Sequence, residues 1–343
     1  MADERIRAGK RKKKKSKALK IFTILLLLVV LSGIALVYSS LDRIKQHDLD
    51  KSKITINEIQ NEKIGGYRNI AIFGVDSREN DLKENTRSDS IIIASINNET
   101  KEVKLISVYR DTYLDIDGNE YAKVNSAYNQ GGPELAISTL NKNLDMNITE
   151  FVTVNFSAVT SVVDKLGGIE IDIQEDEIKE VNRYINDVAK INNTSNEKLT
   201  KAGLQTINGT QATAYSRVRY TKGSDYRRTE RQRTVIYAMM KKAKDSGITT
   251  LLSVANDMLP QIYTSLSKVD ILALAKDVAS YDIADDSGFP FDKVGKKVKK
   301  ASVVLPVNLE ANVTQLHKFL FNTDNYVPSA TVKSISNELK QYE

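Results

Sequence analysis

Residues 69–108 read NIAIFGVDSRENDLKENTRSDSIIIASINNETKEVKLISV. Three short β-branched runs, 69–74, 90–97 and 102–108, are separated by stretches rich in Asp, Asn, Ser and Lys, the pattern of three strands joined by turns. Acids and arginines fall at the strand ends: Asp76 and Arg78 after the first, Arg87 and Asp89 before the second, Arg110 and Asp111 after the third. Open α/β sheets place their sites at strand ends. If the first two strands run antiparallel, the end of one lies beside the start of the next, and Asp76 and Asp89 meet at one rim.

Downstream, the spacing predicts a helix over 133–144 with Pro133 in its first turn. A strand over 150–155, a helix over 156–166 stopped by Gly167-Gly168, and a strand over 169–173 follow. Alternation of strand and helix argues for an α/β sandwich. Residues 175–201 are charged and Asn-rich and read as a surface excursion. Residues 208–216 read as helix, 225–246 as a long helix capped by Ser224 or Asp225, 249–278 as further helix, and 300–305 as a late strand.

Upstream, residues 42–66 are polar, end in Gly65-Gly66 and read as an entry linker to a folded domain over 67–343. Before them, residues 21–41 carry no charge and begin IFTILLLLVVLSGIALVY. At about 1.5 Å per residue such a helix crosses a hydrocarbon core of about 30 Å. The chain's net charge of +6 then divides by region. The first 20 residues hold ten Lys and Arg against Asp3 and Glu4, which gives +8 there and −2 over the rest.

A basic tail before an apolar span sets the N-terminus inside and the folded domain outside, as in a single-pass type II cell-membrane protein. Val37-Tyr38-Ser39-Ser40 offers no small-x-small cleavage site, which favours an anchor over a cleaved signal peptide. The tail also suits anionic membrane lipid, and the anchor explains its charge without nucleic acid.

Composition removes several chemistries. Of 343 residues, 41% are hydrophobic and 27% charged, enough for a sizeable core. With no Cys and only His47 and His317, thiolate chemistry is excluded, and a His-rich metal site or a Ser-His-Asp hydrolase starts weak. Neither Gly-Lys pair, Gly9-Lys10 or Gly295-Lys296, has the earlier Gly of a nucleotide-binding P-loop.

Asp76 and Asp89 at one rim suit a hard cation such as Mg²⁺, although each alone also fits a turn or cap. The arginines favour a phosphate reading. Residues 216–233 read SRVRYTKGSDYRRTERQR, Arg-dominated where a solvated helix face would interleave Lys and Glu. Extended, Arg217-Val218-Arg219 would point both guanidiniums to one face. Arg228, Arg231 and Gln232 share a helical face at i, i+3 and i+4. Arg is the side chain for forked contact with phosphate.

The ordered set Gly74-Val75-Asp76-Ser77-Arg78, Thr86-Arg87-Ser88-Asp89-Ser90, Ser107-Val108-Tyr109-Arg110-Asp111-Thr112, Lys123-Val124-Asn125-Ser126-Ala127-Tyr128, Leu166-Gly167-Gly168-Ile169-Glu170 and Asn208-Gly209-Thr210-Gln211-Ala212, leading into Arg217-Val218-Arg219 and Arg228-Thr229-Glu230-Arg231-Gln232, strongly resembles the LytR–CpsA–Psr family. The resemblance covers roughly residues 67–245. It implies a central mixed β-sheet flanked by helices, with a groove for a polyprenyl chain, preceded by one transmembrane helix. It implies transfer of a glycopolymer, of wall teichoic acid or capsular type, from undecaprenyl pyrophosphate to a muramic acid hydroxyl of peptidoglycan in Gram-positive bacteria, with release of undecaprenyl phosphate.

By the same resemblance Asp76 and Asp89 bind Mg²⁺, with Mn²⁺ as a substitute, while Arg87, Arg110, Arg217, Arg219, Arg228 and Gln232 hold the pyrophosphate. Asp76, Asp89, Arg87 and Arg110 form the catalytic set. The family commonly has Gly where this chain has Arg227, which leaves open whether Arg227 or Arg228 faces the phosphate. Two rival functions stand beside this one, a polyprenyl-pyrophosphate hydrolase and a non-catalytic lipid-binding or regulatory module of the cell envelope.

Overall fold

The computed structural model describes residues 39, 41–59, 62–75, 82–83, 86–116, 120–219, 224–277 and 279–342. The chain enters the sheet through β1 (Lys45–Gln46) and continues into β2 (Tyr67–Val75), β3 (Ser88–Asn97) and β4 (Glu102–Val108), the last three being the strands expected from sequence. A small hairpin of β5 (Tyr113–Asp115) and β6 (Tyr121–Lys123) leads to α1 (Asn125–Leu144), β7 (Glu150–Asn155), α2 (Phe156–Lys165) and β8 (Ile169–Ile173). Then come α3 (Glu175–Asn192), β9 (Gly203–Ile207), α4 (Gly209–Arg217), α5 (Ser224–Lys244) and α6 (Ile248–Met258). The remainder is β10 (Ile262–Thr264), α7 (Lys268–Lys276), β11 (Asp282–Phe289), β12 (Lys293–Val298), β13 (Ala301–Pro306), α8 (Leu309–Phe321) and α9 (Ala330–Leu339).

Seven strands form one mixed sheet in the order β1-β10-β7-β2-β3-β4-β11. β3 runs antiparallel to both its neighbours, β2 and β4, whereas β7 joins parallel to β2 and β11 parallel to β4. The unbroken apolar runs have a physical reason, since both faces are covered. On one face Phe73, Ile91, Ile93 and Ile106 pack with Leu140 of α1, Leu316 and Leu320 of α8 and Ile335 of α9. On the other, Ile70, Ile92, Ala94 and Leu105 meet Ile236 and Met240 of α5 and Leu274 of α7. A separate core joins the β8–β9 ribbon to α2, α3, α4 and α5 through Val163, Ile171, Ile185, Ala212 and Val235.

Several expectations need correction. Residues 175–201 are no surface excursion. α3 buries Val181, Ile185, Val188 and Ala189, and its start is closed by a Gln174–Glu177 capping box. α1 begins eight residues before Pro133, but its backbone leaves the helix at Gly131 and Gly132, so Pro133 opens the second segment as a helix start should. The stretch 249–278 is interrupted by strand β10, and β9, β11 and β12 were not anticipated.

Part of the expected linker 42–66 belongs to the folded unit Ile44–Glu343. β1 pairs with β10, and Leu49, Ile54 and Ile59 pack on the core. The apolar stretch 21–41 lies outside the described residues except for Ser39 and Leu41. Among the described residues no helix is long and apolar enough to cross a membrane.

Candidate functional site

The site grows from an irregularity in the sheet. Along β2 and β3, Gly74 pairs with Ser90 but Val75 pairs with Ser88, so Asp89 is the extra residue of a β-bulge. Bulges re-aim a side chain at the end of a ladder. Gly74 permits the close pairing, because a Cβ there would come within 3.0 Å of the Ser90 Cβ. Across β3 and β4, Ile92 lies opposite Ser107. Continuing that register along both chains brings Asp89 opposite Arg110.

Three arginines from three elements reach this one aspartate. Arg110 Nη1 donates to Asp89 Oδ1 at 2.6 Å. Arg219 Nη2, just past α4, stands 3.6 Å from Asp89 Oδ2. Arg228, on α5, donates through Nη2 to the Asp89 backbone carbonyl at 3.1 Å. Arg228 is only 1% exposed, an extreme for a guanidinium. Gln232 lies one turn further along α5 and is also buried, with neither amide atom hydrogen-bonded among the described residues.

A cavity of about 670 Å³ opens here, lined by Thr86, Arg87, Asp89, Arg110, Asn129, Tyr184, Arg217 and Arg219. Four guanidiniums face one carboxylate, so the wall is strongly cationic and suits a phosphate-bearing ligand. Arg87, Asp89, Arg110, Arg217 and Arg219 were all expected, and Arg228 and Gln232 back the same rim. Asn129 and Tyr184 were not expected. Tyr184 could have been found from the helical spacing of Ile178, Val181, Ile185 and Val188, which makes α3 an inward-facing element.

The expected grouping of α5 residues is corrected in one member. Arg231 turns from Arg228 and Gln232 toward α3, where its Nε donates to Glu177 Oε1 at 2.8 Å and its Nη1 to the Val218 carbonyl at 3.2 Å. Both partners of this ion pair are buried, so it clamps α5 to α3. Arg227 pairs with Glu230 at 3.1 Å and is half-buried. Arg228 is therefore the member of the Arg227-Arg228 pair turned to Asp89.

Arg217 and Arg219 reach the cavity by a route other than a strand. Arg217 closes α4 and Val218 is its C-cap, so the expected extended Arg-Val-Arg segment is a helix end. The start of α4 is fixed by Asn208, whose Oδ1 accepts from Gln211 N at 2.9 Å while Gln211 Oε1 accepts from Asn208 N at 2.9 Å. Gly209 lets α4 lie against α2, since a Cβ would meet the Thr160 carbonyl oxygen at 2.1 Å. Gly168 has φ +90°, and a Cβ there would meet Thr206 Cγ2 at 2.7 Å. These two glycine motifs position the arginines and line no part of the cavity.

Asp89 presents two hard oxygen atoms at the cavity wall, a donor type that suits Mg²⁺ or Mn²⁺. Its partner in the expected metal pair, Asp76, lies outside the described residues, as does Arg78. Among the described residues no group of three or more His, Asp or Glu gathers.

Fold and site together define an α/β protein with an arginine-lined cavity at the rim of a mixed sheet. The chain belongs to the LytR_cpsA_psr family, whose model matches residues 32–317. It is 28% identical over 232 residues to the polyisoprenyl-teichoic acid–peptidoglycan teichoic acid transferase TagT of Bacillus subtilis strain 168, a match covering 66% of this chain and 69% of that one. The fold is that of TagT bound to LIIa-WTA, with a TM-score of 0.63 at 23% identity over 81% of this chain and 98% of that one. TagT with bound octaprenyl pyrophosphate lipid aligns with a TM-score of 0.59 at 22% identity over 80% and 99% of the two chains.

Proposed function

We propose that the chain is a membrane-anchored extracellular phosphotransferase that moves a glycopolymer from a polyprenyl pyrophosphate to a peptidoglycan hydroxyl. The observation carrying this reading is the convergence of Arg87, Arg110, Arg217 and Arg219 with Asp89 around one cavity. The transferase name and the lipid-bound structure of its relatives agree with it.

The chemistry follows from charge. A pyrophosphate diester is a dianion at neutral pH and repels an incoming oxygen until its charge is offset. Arg217 and Arg219 clamp the phosphoryl oxygens, Arg87 and Arg110 neutralise charge at the reacting phosphorus, and Arg228 with Gln232 backs the rim. The acceptor oxygen bonds to the phosphorus nearer the sugar. The bond from that phosphorus to the bridging oxygen breaks, and polyprenyl phosphate leaves with the electron pair. The hydroxyl proton passes to a carboxylate, Asp89 or Asp76. Mg²⁺ or Mn²⁺ held by Asp76 and Asp89 would add charge neutralisation on the same oxygens when bound.

The anhydride already stores the energy for transfer, so no nucleotide is needed outside the cell. The partly buried Ile72, Val152, Ile236, Met240 and Leu274 between the sheet and α5 and α7 suit the apolar chain of the lipid.

The test uses full-length protein in detergent with lipid-linked polymer, with and without peptidoglycan. Polyprenyl phosphate should appear only with acceptor present. Release at the same rate without acceptor would make the chain a hydrolase, and no release in either case would leave the transferase reading without support.

A further inference from the structure

The C-terminal hairpin of β12 and β13 carries a feature the transfer chemistry does not use. Residues 293–306 contain Lys293, Lys296, Lys297, Lys299 and Lys300 and no acid, a charge of +5 on a chain whose residues 21–343 sum to −2. Val298 pairs with Ala301 across the hairpin, so Lys299 and Lys300 are the two loop residues. Both have positive φ, 46° and 71°. A two-residue loop of this kind favours Asn-Gly, because a side chain with a Cβ resists left-handed backbone. Here two bulky cations occupy it, against conformational preference and against each other's charge. On the strand before the loop, Lys297 and Lys296 lie opposite Ser302 and Val303 of β13, which carry no charge.

The base of the hairpin lies at the site. Lys293 Nζ sits 5.0 Å from the ring of Tyr109 and 5.0 Å from that of Tyr226. These two rings meet edge to face at 4.6 Å, Tyr109 one residue before Arg110 and Tyr226 two residues before Arg228. On the other strand, Val304 N donates to the Asp111 carbonyl at 2.9 Å. Strand alternation puts Lys297 on the face of Lys293, and the loop lysines follow, so cations run about 20 Å outward from the rim. Lys297, Lys299 and Lys300 are exposed and form no ion pair among the described residues.

We propose that this hairpin is a binding track for the polymer part of the substrate, its lysines matched to the phosphodiester charges of a teichoic-acid-type chain. The proposal rests on the phosphotransferase reading and assigns the surface that would hold the polymer of its donor. An anionic membrane surface is the competing occupant. The hairpin is fixed beside Arg110, through the hydrogen bond of Val304 to Asp111 and the seat of Lys293 on Tyr109, so its cations continue the cationic wall of the cavity along the path open to a polymer joined to the pyrophosphate. That continuity favours the polymer over the membrane.

Titration calorimetry of full-length protein in detergent, with poly(glycerol phosphate) as probe, tests the track. The K297Q/K299Q/K300Q variant should bind about tenfold more weakly at about 0.1 M salt, and the slope of log affinity against log salt should fall by about 2. A second variant, K299N/K300G, relaxes the loop while removing two charges, so it should melt higher than wild type yet bind more weakly. Polyprenyl pyrophosphate without polymer should bind both variants as it binds wild type. Wild-type affinity of either variant for poly(glycerol phosphate), or an equal loss for neutral dextran, overturns the track. A loss confined to phosphatidylglycerol vesicles assigns the lysines to the membrane and also overturns it. Failure of the wild type to bind polyprenyl pyrophosphate would instead strike the phosphotransferase reading, whatever the hairpin does.

Discussion

Arg228 and Arg231 lie three residues apart on one helix yet do different work. Arg231 satisfies the buried carboxylate of Glu177, so Arg231→Ala strands a charge and should destabilise the fold by about 3–5 kcal/mol in denaturant titrations. The surviving folded molecules should still bind polyprenyl pyrophosphate. Arg217→Ala should show the reverse, with stability retained and binding weakened by about 1.5–3 kcal/mol, the scale of a charge-assisted hydrogen bond. Wild-type affinity in Arg217→Ala would remove this residue from the clamp. Asp89→Asn keeps the shape of the side chain but removes the Asp89 charge from beside Arg110 and Arg219, leaving Arg110 with Asp111 at 3.7 Å. Binding of the lipid pyrophosphate should therefore hold or tighten, while turnover should fall about 100-fold or more under the proposed role of Asp89 as metal ligand or base. If Asp89→Asn transfers polymer at the wild-type rate in limiting Mg²⁺, the residue is a bulge residue and nothing else.

At the level of elements, the central strands were legible because their apolar runs are long and β-branched, and α2, α4 and α5 because their ends carry recognisable caps. What stayed hidden was set by pairing. The Asp89 bulge depends on how two strands meet, and nothing in residues 86–90 alone announces an extra residue. β12 reads KVGKKV, whose lysines mask its pairing with β13, and α3 was obscured by its charged outer face. The α4 cap illustrates how an element carries the site. Gly209→Ala would press a methyl into the Thr160 carbonyl, so α4 must shift at a cost of about 1–3 kcal/mol. A drop in polyprenyl pyrophosphate affinity should accompany it, although Gly209 lines no part of the cavity, and an unchanged affinity would uncouple α4 placement from binding.

α8 supplies a test by pH. His317 is buried, stacked on Tyr326 at 3.7 Å, with Nε2 3.2 Å from the Leu144 carbonyl oxygen. Burial pushes its pKa down to about 4. The unfolded chain takes up a proton below about pH 6.5 that the folded chain refuses until about 4, so stability should fall as pH drops through that window, by up to about 3 kcal/mol. Urea midpoints at pH 7 and 4.5 should show the slope in wild type and its reduction in His317→Gln. Equal slopes in the two would clear His317 of the effect.

Across the whole molecule, function depends on where the chain sits. The described domain has a cationic cavity but a charge balance near zero, and the strongly basic residues are concentrated in the first twenty positions before an uncharged stretch. If those residues hold the N-terminus inside, a domain tethered to the membrane meets a lipid-linked donor confined to the same surface, at an effective concentration free solution cannot supply. Protease added to intact cells stripped of wall should therefore digest the domain and spare the tail, as followed with an epitope at each end. A protected C-terminal epitope would put the arginine cavity on the side where its proposed acceptor, peptidoglycan, is absent, and the transferase reading would fall with the orientation.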